Sequence, residues 1–234
     1  MSSPSLTDAG VRPAGPSDLP AARRMLLAAY QEYAATLPPA VFGRYLTDIL
    51  DVESRAGTGG KVLVAEHDGR VVGTVTYYPD AADEGFGWPA GWAGLRALGV
   101  EPRARGLGIG RALLEACLER VLAAGAPVIC LHTAEFMTAA VAIYEAAGFR
   151  RDPANDFDAA GRLALEGVRA VPILAYRLDL IRDHQDEHSE ARVAVEVRHG
   201  GRLVRSIRQR LLTARDAQSA RSTQRTTKRS ATCW

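Results

Sequence analysis

Val100-Glu101-Pro102-Arg103-Ala104-Arg105-Gly106-Leu107-Gly108-Ile109-Gly110-Arg111 is the stretch on which the reading of this chain turns. An apolar run, Leu95 to Val100, precedes it and reads as a buried strand. A helical pattern follows, with Leu114, Cys117, Leu118, Val121 and Leu122 recurring at i, i+3, i+4, i+7 and i+8. Gly106, Gly108 and Gly110 therefore fall at a strand-to-helix junction. Lacking a Cβ, they let backbone N–H groups converge on an anion, and the helix N-terminus adds a partial positive charge. Arg105 is placed to supply a full charge there. The stretch reads as an anion cradle.

The spacing narrows which anion it holds. A P-loop would need Gly-Lys-Ser/Thr after the glycines, whereas Gly110 is followed by Arg111-Ala112. A dinucleotide fingerprint is G-x-G-x-x-G, and these glycines are spaced G-x-G-x-G. The segment does match Q/R-x-x-G-x-G/A at Arg105, Gly108 and Gly110, with V-x-P before it at Val100 and Pro102. This resembles the acetyl-CoA-binding motif of the GCN5-related N-acetyltransferases (GNAT). The resemblance implies that the loop amides hold the CoA pyrophosphate. It places the cofactor along Leu98, Gly99, Val100, Arg105, Gly106, Leu107, Gly108, Ile109, Gly110 and Arg111.

A second segment runs from Glu135 to Phe149, with Phe136, Ala140, Ile143, Tyr144 and Ala147 on one helical face and Gly148 ending the helix. Its A-x-x-h-Y-E-x-x-G-F run resembles the second signature of the same family. There the tyrosine points at the CoA sulfur and can protonate the leaving thiolate, a role the resemblance gives to Tyr144. Met137 stands where many relatives carry asparagine, which puts that polar contact in doubt.

The remaining units fit an α/β fold with a mixed central sheet flanked by helices. Val11 to Ala14 is a short first strand, and Ser17 or Asp18 caps a helix whose apolar face is Leu19, Ala22, Leu26, Ala29, Tyr30 and Tyr33. Pro38-Pro39 opens a second helix through Val41, Tyr45, Leu46 and Leu50. Gly57 to Gly60 reads as a flexible link. Lys61–Glu66 and Val71–Tyr77 flank Asp68-Gly69, a hairpin signal. A loop of acids and aromatics, 79–91, leads to the cradle strand. Gly125 closes the long helix, Val128 to Thr133 is the next strand, and Val171 to Leu180 alternates as a closing strand.

What such a site must do sets the other expectations. A primary amine has to lose a proton before it attacks a thioester. Glu84, Glu101, Glu135 and His132 all lie in suitable segments for a base, and Glu84 is the preferred one. A backbone N–H around Leu98 to Val100 is placed to stabilise the oxyanion. The family's usual route is direct transfer in a ternary complex, so neither Cys117 nor Cys130 is required; both read as core. Glu84, Asp152, Asp156 and Asp158 fall in loops that open, in the resembled fold, towards the acceptor mouth, which implies a small cationic amine. A protein amino group is an alternative acceptor, and a CoA-binding module without turnover is the alternative from another class.

Composition agrees with a globular enzyme: 47% of the 234 residues are hydrophobic and 24% charged. No run is apolar enough to span a bilayer, no secretory signal is visible, and three scattered cysteines suit reduced thiols, so a cytoplasmic location is expected. Residues 181–234 hold 12 Arg and Lys against 6 Asp and Glu, while the preceding 180 hold 17 against 21. The chain thus divides into a flexible N-terminus (1–10), an acetyltransferase-like domain (11–180) and a basic, flexible C-terminal tail (181–234). In that tail His184-Gln185-Asp186-Glu187-His188 fits an H-x-x-E-H metal spacing, but no third ligand or apolar helix frames it, so no metal is expected. The scattered tail charges lack interleaved aromatics, which argues against nucleic acid. The sequence leaves open a homodimer.

Overall fold

The protein is described here by a computed structural model covering residues 10–180, which lie within one compact unit, Met1–Leu180. The expectations for the N-terminal residues before Gly10, the basic tail and the His184–His188 spacing lie outside the described residues.

The strands are β1 (Gly10–Pro13), β2 (Lys61–His67), β3 (Arg70–Tyr78), β4 (Ala93–Val100), β5 (Val128–Thr133), β6 (Arg150–Arg151), β7 (Phe157–Asp158) and β8 (Pro172–Asp179). They form one sheet in the order β1-β2-β3-β4-β5-β8-β6, with β7 also pairing β8. Each pairing is antiparallel except β4 with β5. The helices are α1 (Leu19–Tyr30), α2 (Pro39–Leu50), α3 (Val52–Gly57), α4 (Ile109–Ala124), α5 (Thr138–Ala146) and α6 (Ala159–Arg162). The mixed sheet with flanking helices is the expected class. None of the described helices is long and apolar enough to cross a membrane.

Local chemistry explains the elements. Asp68 and Gly69 both take positive φ, 50° and 69°, as a tight hairpin between β2 and β3 requires. Between β4 and β5 lies α4, the crossover a parallel pair needs. Gly125 ends it at φ 73°.

Two glycines seat helices on opposite faces of the sheet. Gly73 of β3 pairs Val100, and Thr74 pairs Gly99, so side chains at Gly73 and Gly99 would point to opposite faces. A Cβ on Gly73 would lie 2.8 Å from Ile109 and 3.0 Å from Leu113 of α4. One on Gly99 would lie 3.0 Å from Leu26 and 3.3 Å from Tyr30 of α1. Both helices therefore sit close against the backbone, which fixes the N-terminus of α4 and the C-terminus of α1 beside the end of β4.

Several boundaries differ from the sequence reading. Asp18 does not cap α1 forwards; its carboxylate accepts from Gly15 N at 2.8 Å and from Arg12 at 2.6 Å. That pairing with Arg12 and the Gly15 amide lowers its pKa to about 2. Helix α5 starts at Thr138 rather than Glu135, because residues 134–137 close a turn through Met137 N to Ala134 O. The link expected at Gly57 to Gly60 is instead a packed junction that ends α3. Arg55, 4% exposed, donates to Asp48 O at 2.6 Å and Ile49 O at 2.8 Å, holding the last carbonyls of α2, and to Thr76 Oγ1 at 3.2 Å.

This junction yields a pair of opposite outcomes. A Cβ on Gly60 would lie 2.5 Å from Arg55 O and 2.7 Å from Thr76 Cγ2, whereas one on Gly57 meets nothing within 4 Å. Gly60→Ala should destabilise by about 1–3 kcal/mol through overpacking. Gly57→Ala should be neutral or stabilise by up to about 1 kcal/mol, as a helical Gly→Ala does. The urea midpoint should fall for Gly60→Ala and hold or rise for Gly57→Ala; equal shifts would mean that the junction yields.

Candidate active site

The site is made by strands that part. β4 pairs β5 at Ala93, Gly94 and Leu95, and there the pairing stops although β4 runs on to Val100 and β5 to Thr133. On its other edge β4 carries a bulge: Ala97 and Leu98 stand opposite Val75 alone, and Ala97 takes φ 51°, a costly conformation for a residue with a Cβ. The carbonyl of Leu98 accepts from Tyr30 Oη at 2.9 Å. A cavity of about 690 Å³ occupies the seam between the strands. One end reaches the start of α4 and the other reaches α2, α6 and the loop before β4.

At the first end, Leu98, Gly99, Val100, Arg105, Gly106, Gly108, Ile109, Gly110 and Arg111 line the cavity. Leu107, 42% exposed, does not line the cavity. Gly108 is the N-cap of α4 at φ 79°, a conformation that a β-branched residue would resist. Gly110 is constrained for a different reason, since a Cβ there would lie 3.2 Å from Ile143 Cδ1 of α5, which would have to shift slightly. Arg105 does not stand free. It forms a bidentate pair with Glu32, 2.8 Å on each arm, and donates to Ala29 O at 3.2 Å. An anion arriving at the cradle meets the amides of α4 first and Arg105 only in competition with Glu32.

Tyr144 lines the cavity from α5, 4% exposed, with no hydrogen bond to its hydroxyl among the described residues. Burial raises its pKa, so the phenol stays protonated. Met137, in the position where asparagine was awaited, joins the apolar cluster with Met25, Tyr30 and Val52, and its sulfur accepts weakly from Thr133 Oγ1 at 3.7 Å. Cys117 and Cys130 are buried, and burial pushes the Cys117 thiol up to about 12.

Glu84 lines the far end of the cavity from a short 3₁₀ turn, Ala81–Glu84. The absence of a side chain on Gly94 of β4 makes room for its Oε1, which is buried and has no hydrogen-bond partner among the described residues. Burial pushes this carboxyl up to about 8, against the opposing pull of Arg96 and the Trp88 indole. That indole N–H lies near enough to act on the charge, yet it makes no hydrogen bond of ordinary geometry. Aromatic rings complete this end. Tyr33 packs on Phe136 at 5.2 Å between centroids and Tyr45 on Tyr30 at 5.8 Å. His132 stacks on Trp88 at 4.3 Å and meets Phe157 at 4.9 Å. Its Nε2 lies 3.0 Å from Asn155 O, which fixes the proton on Nε2, and burial lowers its pKa to about 4.

The acidic mouth expected from the loops is not there. Of its four carboxylates only Glu84 lines the cavity. Asp158 accepts from the amides of Ala160, Gly161 and Val171, holding α6 and the start of β8. Asp156 pairs with Arg151 and accepts from Ala175 N. Asp152 accepts from Asn155 Nδ2. These acids are spent on backbone amides, one asparagine and one arginine, so they give no support to a cationic acceptor. Sequence reasoning missed the arginines of the same end, Arg44, Arg96 and Arg162. One signal was available: Arg96 interrupts the otherwise apolar run Ala93 to Val100.

The model of the acetyltransferase (GNAT) family matches residues 23–149, more than half of the chain, and the chain belongs to that family. It is 40% identical over 92 residues to a mycothiol acetyltransferase of Sanguibacter keddieii, a match that spans 39% of this chain and 29% of that protein. It is 33% identical over 114 residues to an IAA acetyltransferase of Azospirillum brasilense, spanning 45% of this chain and 70% of that protein. The fold is shared with a Salmonella typhimurium protein solved with its cofactor acetyl-CoA, at a TM-score of 0.52 and 20% identity over 80% of this chain and all of that one.

The position of Glu84 has a consequence for stability. Its folded pKa, about 8, lies above the ordinary 4.5, so the native state holds a proton that the unfolded chain has already lost between those values. The native state is favoured below that window and loses the advantage as pH rises through about 8. Glu84→Gln keeps the shape without the charge. Its melting temperature relative to wild type should therefore rise from pH 6 to pH 9 in thermal denaturation. A difference that is flat with pH would mean that the carboxyl is solvated.

Proposed function

We propose that this protein is an acetyl-CoA-dependent N-acetyltransferase that moves the acetyl group to a primary amine by direct transfer in a ternary complex. The observation that carries the reading is the single cavity in the β4–β5 seam, lined at one end by Gly108 and Gly110 and further along by Tyr144 and Glu84. A cofactor whose pyrophosphate lies on the amides at the start of α4 can lay its thioester arm along the seam, where β4 no longer pairs with β5 beyond Leu95.

The residues then divide the chemistry. The amine nitrogen attacks the thioester carbonyl, and an unpaired amide among Leu98 to Val100 stabilises the oxyanion. The C–S bond breaks, and Tyr144, kept protonated by burial, gives its proton to the thiolate. Glu84 takes the proton that the amine releases, and proton exchange with solvent then returns Glu84 and Tyr144 to their starting forms. With its pKa raised to about 8, Glu84 is matched to that task near neutral to mildly basic pH. Neither buried cysteine takes part.

Two measurements test these roles. Tyr144→Phe deletes only the hydroxyl, so acetyl-CoA affinity by calorimetry should change little while turnover falls by roughly 10²–10⁴, the range for a positioned proton donor. Unchanged turnover, measured where chemistry limits the rate, would return Tyr144 to a packing role. For Glu84, kcat/KM should climb with pH through about 8 in wild type. Glu84→Gln should lower the plateau as well as the slope; a profile shared by both proteins would assign the rise to the amine alone.

A further inference from the structure

The acceptor end of the cavity is a place where positive charge exceeds negative, and where the excess is exposed to a ligand. Arg44 of α2, Arg96 of β4 and Arg162 of α6 line it, and its carboxylates are Asp48 and Glu84. Asp48 is paired with Arg96. The buried carboxyl of Glu84 is held largely in its neutral form at neutral pH. Behind them Arg55 adds a fourth guanidinium, held by helix carbonyls and a threonine and not by a carboxylate. Arg44 and Arg162 therefore remain without an ion-pair partner among the described residues.

The two guanidiniums without an ion-pair partner both line this cavity. Val41 of α2 and Ala160 of α6 belong to the same small apolar cluster, with Leu37 and Val171. Arg44 lies one turn beyond Val41, and Arg162 closes α6. Arg162 is also held in place: it donates to Gly85 O at 2.6 Å and sits 4.5 Å from the Phe86 ring centroid and 5.3 Å from that of Phe157. A guanidinium fixed on an aromatic face with further N–H groups free is a ready donor for a carboxylate. Beside it, Phe86, Phe157, Phe136 and Tyr33 offer an apolar wall.

Resting on the acetyltransferase reading, we propose that the acceptor is a free amino acid with an apolar or aromatic side chain, its carboxylate bound by Arg162 and Arg44. The same positive field disfavours the ammonium form of the acceptor and so favours the neutral amine that attacks the thioester. A carboxylate on the acceptor offsets the cost of bringing that amine in. An amine without an anionic group has no such compensation, and a dication meets repulsion.

The test compares phenylalanine with phenylalaninamide and leucine with leucinamide, at equal concentrations of unprotonated amine, using the full chain and acetyl-CoA. In at least one pair the carboxylate form should lead in kcat/KM by about ten- to hundredfold, the range of a hydrogen bond to a charged group, and the lead should shrink with added salt. Arg44→Gln, at an exposed position without a partner, and Arg162→Gln should each reduce that ratio; circular dichroism checks their fold. Amides that equal or exceed the acids in both pairs would overturn the proposal and point to a peptide-like amine. So would a ratio that survives both substitutions. Calorimetry with the same four compounds separates this from failure of the acetyltransferase reading. Tighter binding of the acids without turnover of any amine keeps the anion subsite and removes the transferase. Turnover indifferent to the carboxylate does the reverse.

Discussion

The molecule depends on a parting of two strands in the middle of its sheet. After Leu95, β4 and β5 no longer share hydrogen bonds, and each leaves backbone polar groups without the partner a continuous sheet would give. An open seam of this kind costs free energy unless water or a ligand fills it. Here it is held open by what packs around it. The bulge at Ala97 and Leu98 turns the end of β4, while α1 lies against Gly99 on one face and α4 against Gly73 on the other. Neither helix can move closer, because each already touches backbone where a side chain is missing. The cavity is thus a property of the packing, and the start of α4 points its free amides at the mouth of the seam.

Charge around the seam follows from competition between carboxylates and backbone. Asp156 and Asp158 stand in a segment whose composition suggests an acidic mouth, but amides at Ala175, Ala160, Gly161 and Val171 take their oxygens. Short acidic side chains bond nearby amides readily, which is why they favour turns and caps. The arginines have longer reach and project from strand and helix instead. Arg55 shows that one can be buried without any carboxylate, since the carbonyls ending α2 supply its acceptors. The sign of the acceptor end is therefore set by which charges the fold consumes, and composition does not reveal that.

This difference explains how far the sequence could be read. The hairpin, the strand-to-helix cradle and the helix bearing Tyr144 rest on local signals: Asp68-Gly69, three glycines in five positions, and a helical stripe ended by Gly148. The end of the cavity at the start of α4 is made of backbone amides, and a contiguous motif specifies it. Arg105 was legible as a residue of that end, but its pairing with Glu32, 73 residues away, was not. Helix α3 was missed because its reason for being ordered is a tertiary one, the burial of Arg55 under α2 and beside Thr76. Glu84 could be preferred among several acids, but without a physical reason that set it apart. What singles it out, the space left by Gly94, depends on a register between a loop and a strand.

The two ends of the cavity are consequently built on different principles. The cradle needs a particular backbone path, and Gly108 at positive φ and Gly110 against Ile143 leave that path little freedom. The opposite end is assembled from single side chains on separate elements, among them Arg44, Phe86, Arg96, His132, Phe157 and Arg162. Arg44 and Arg162 are exposed, so changing them removes little buried area. A fold of this design can keep one way of binding its acyl donor while the charge and shape of its acceptor end vary. Membership of the family therefore fixes the donor side far more tightly than the acceptor side. The identity of the acceptor has to be argued from the arginines and rings that this chain places there.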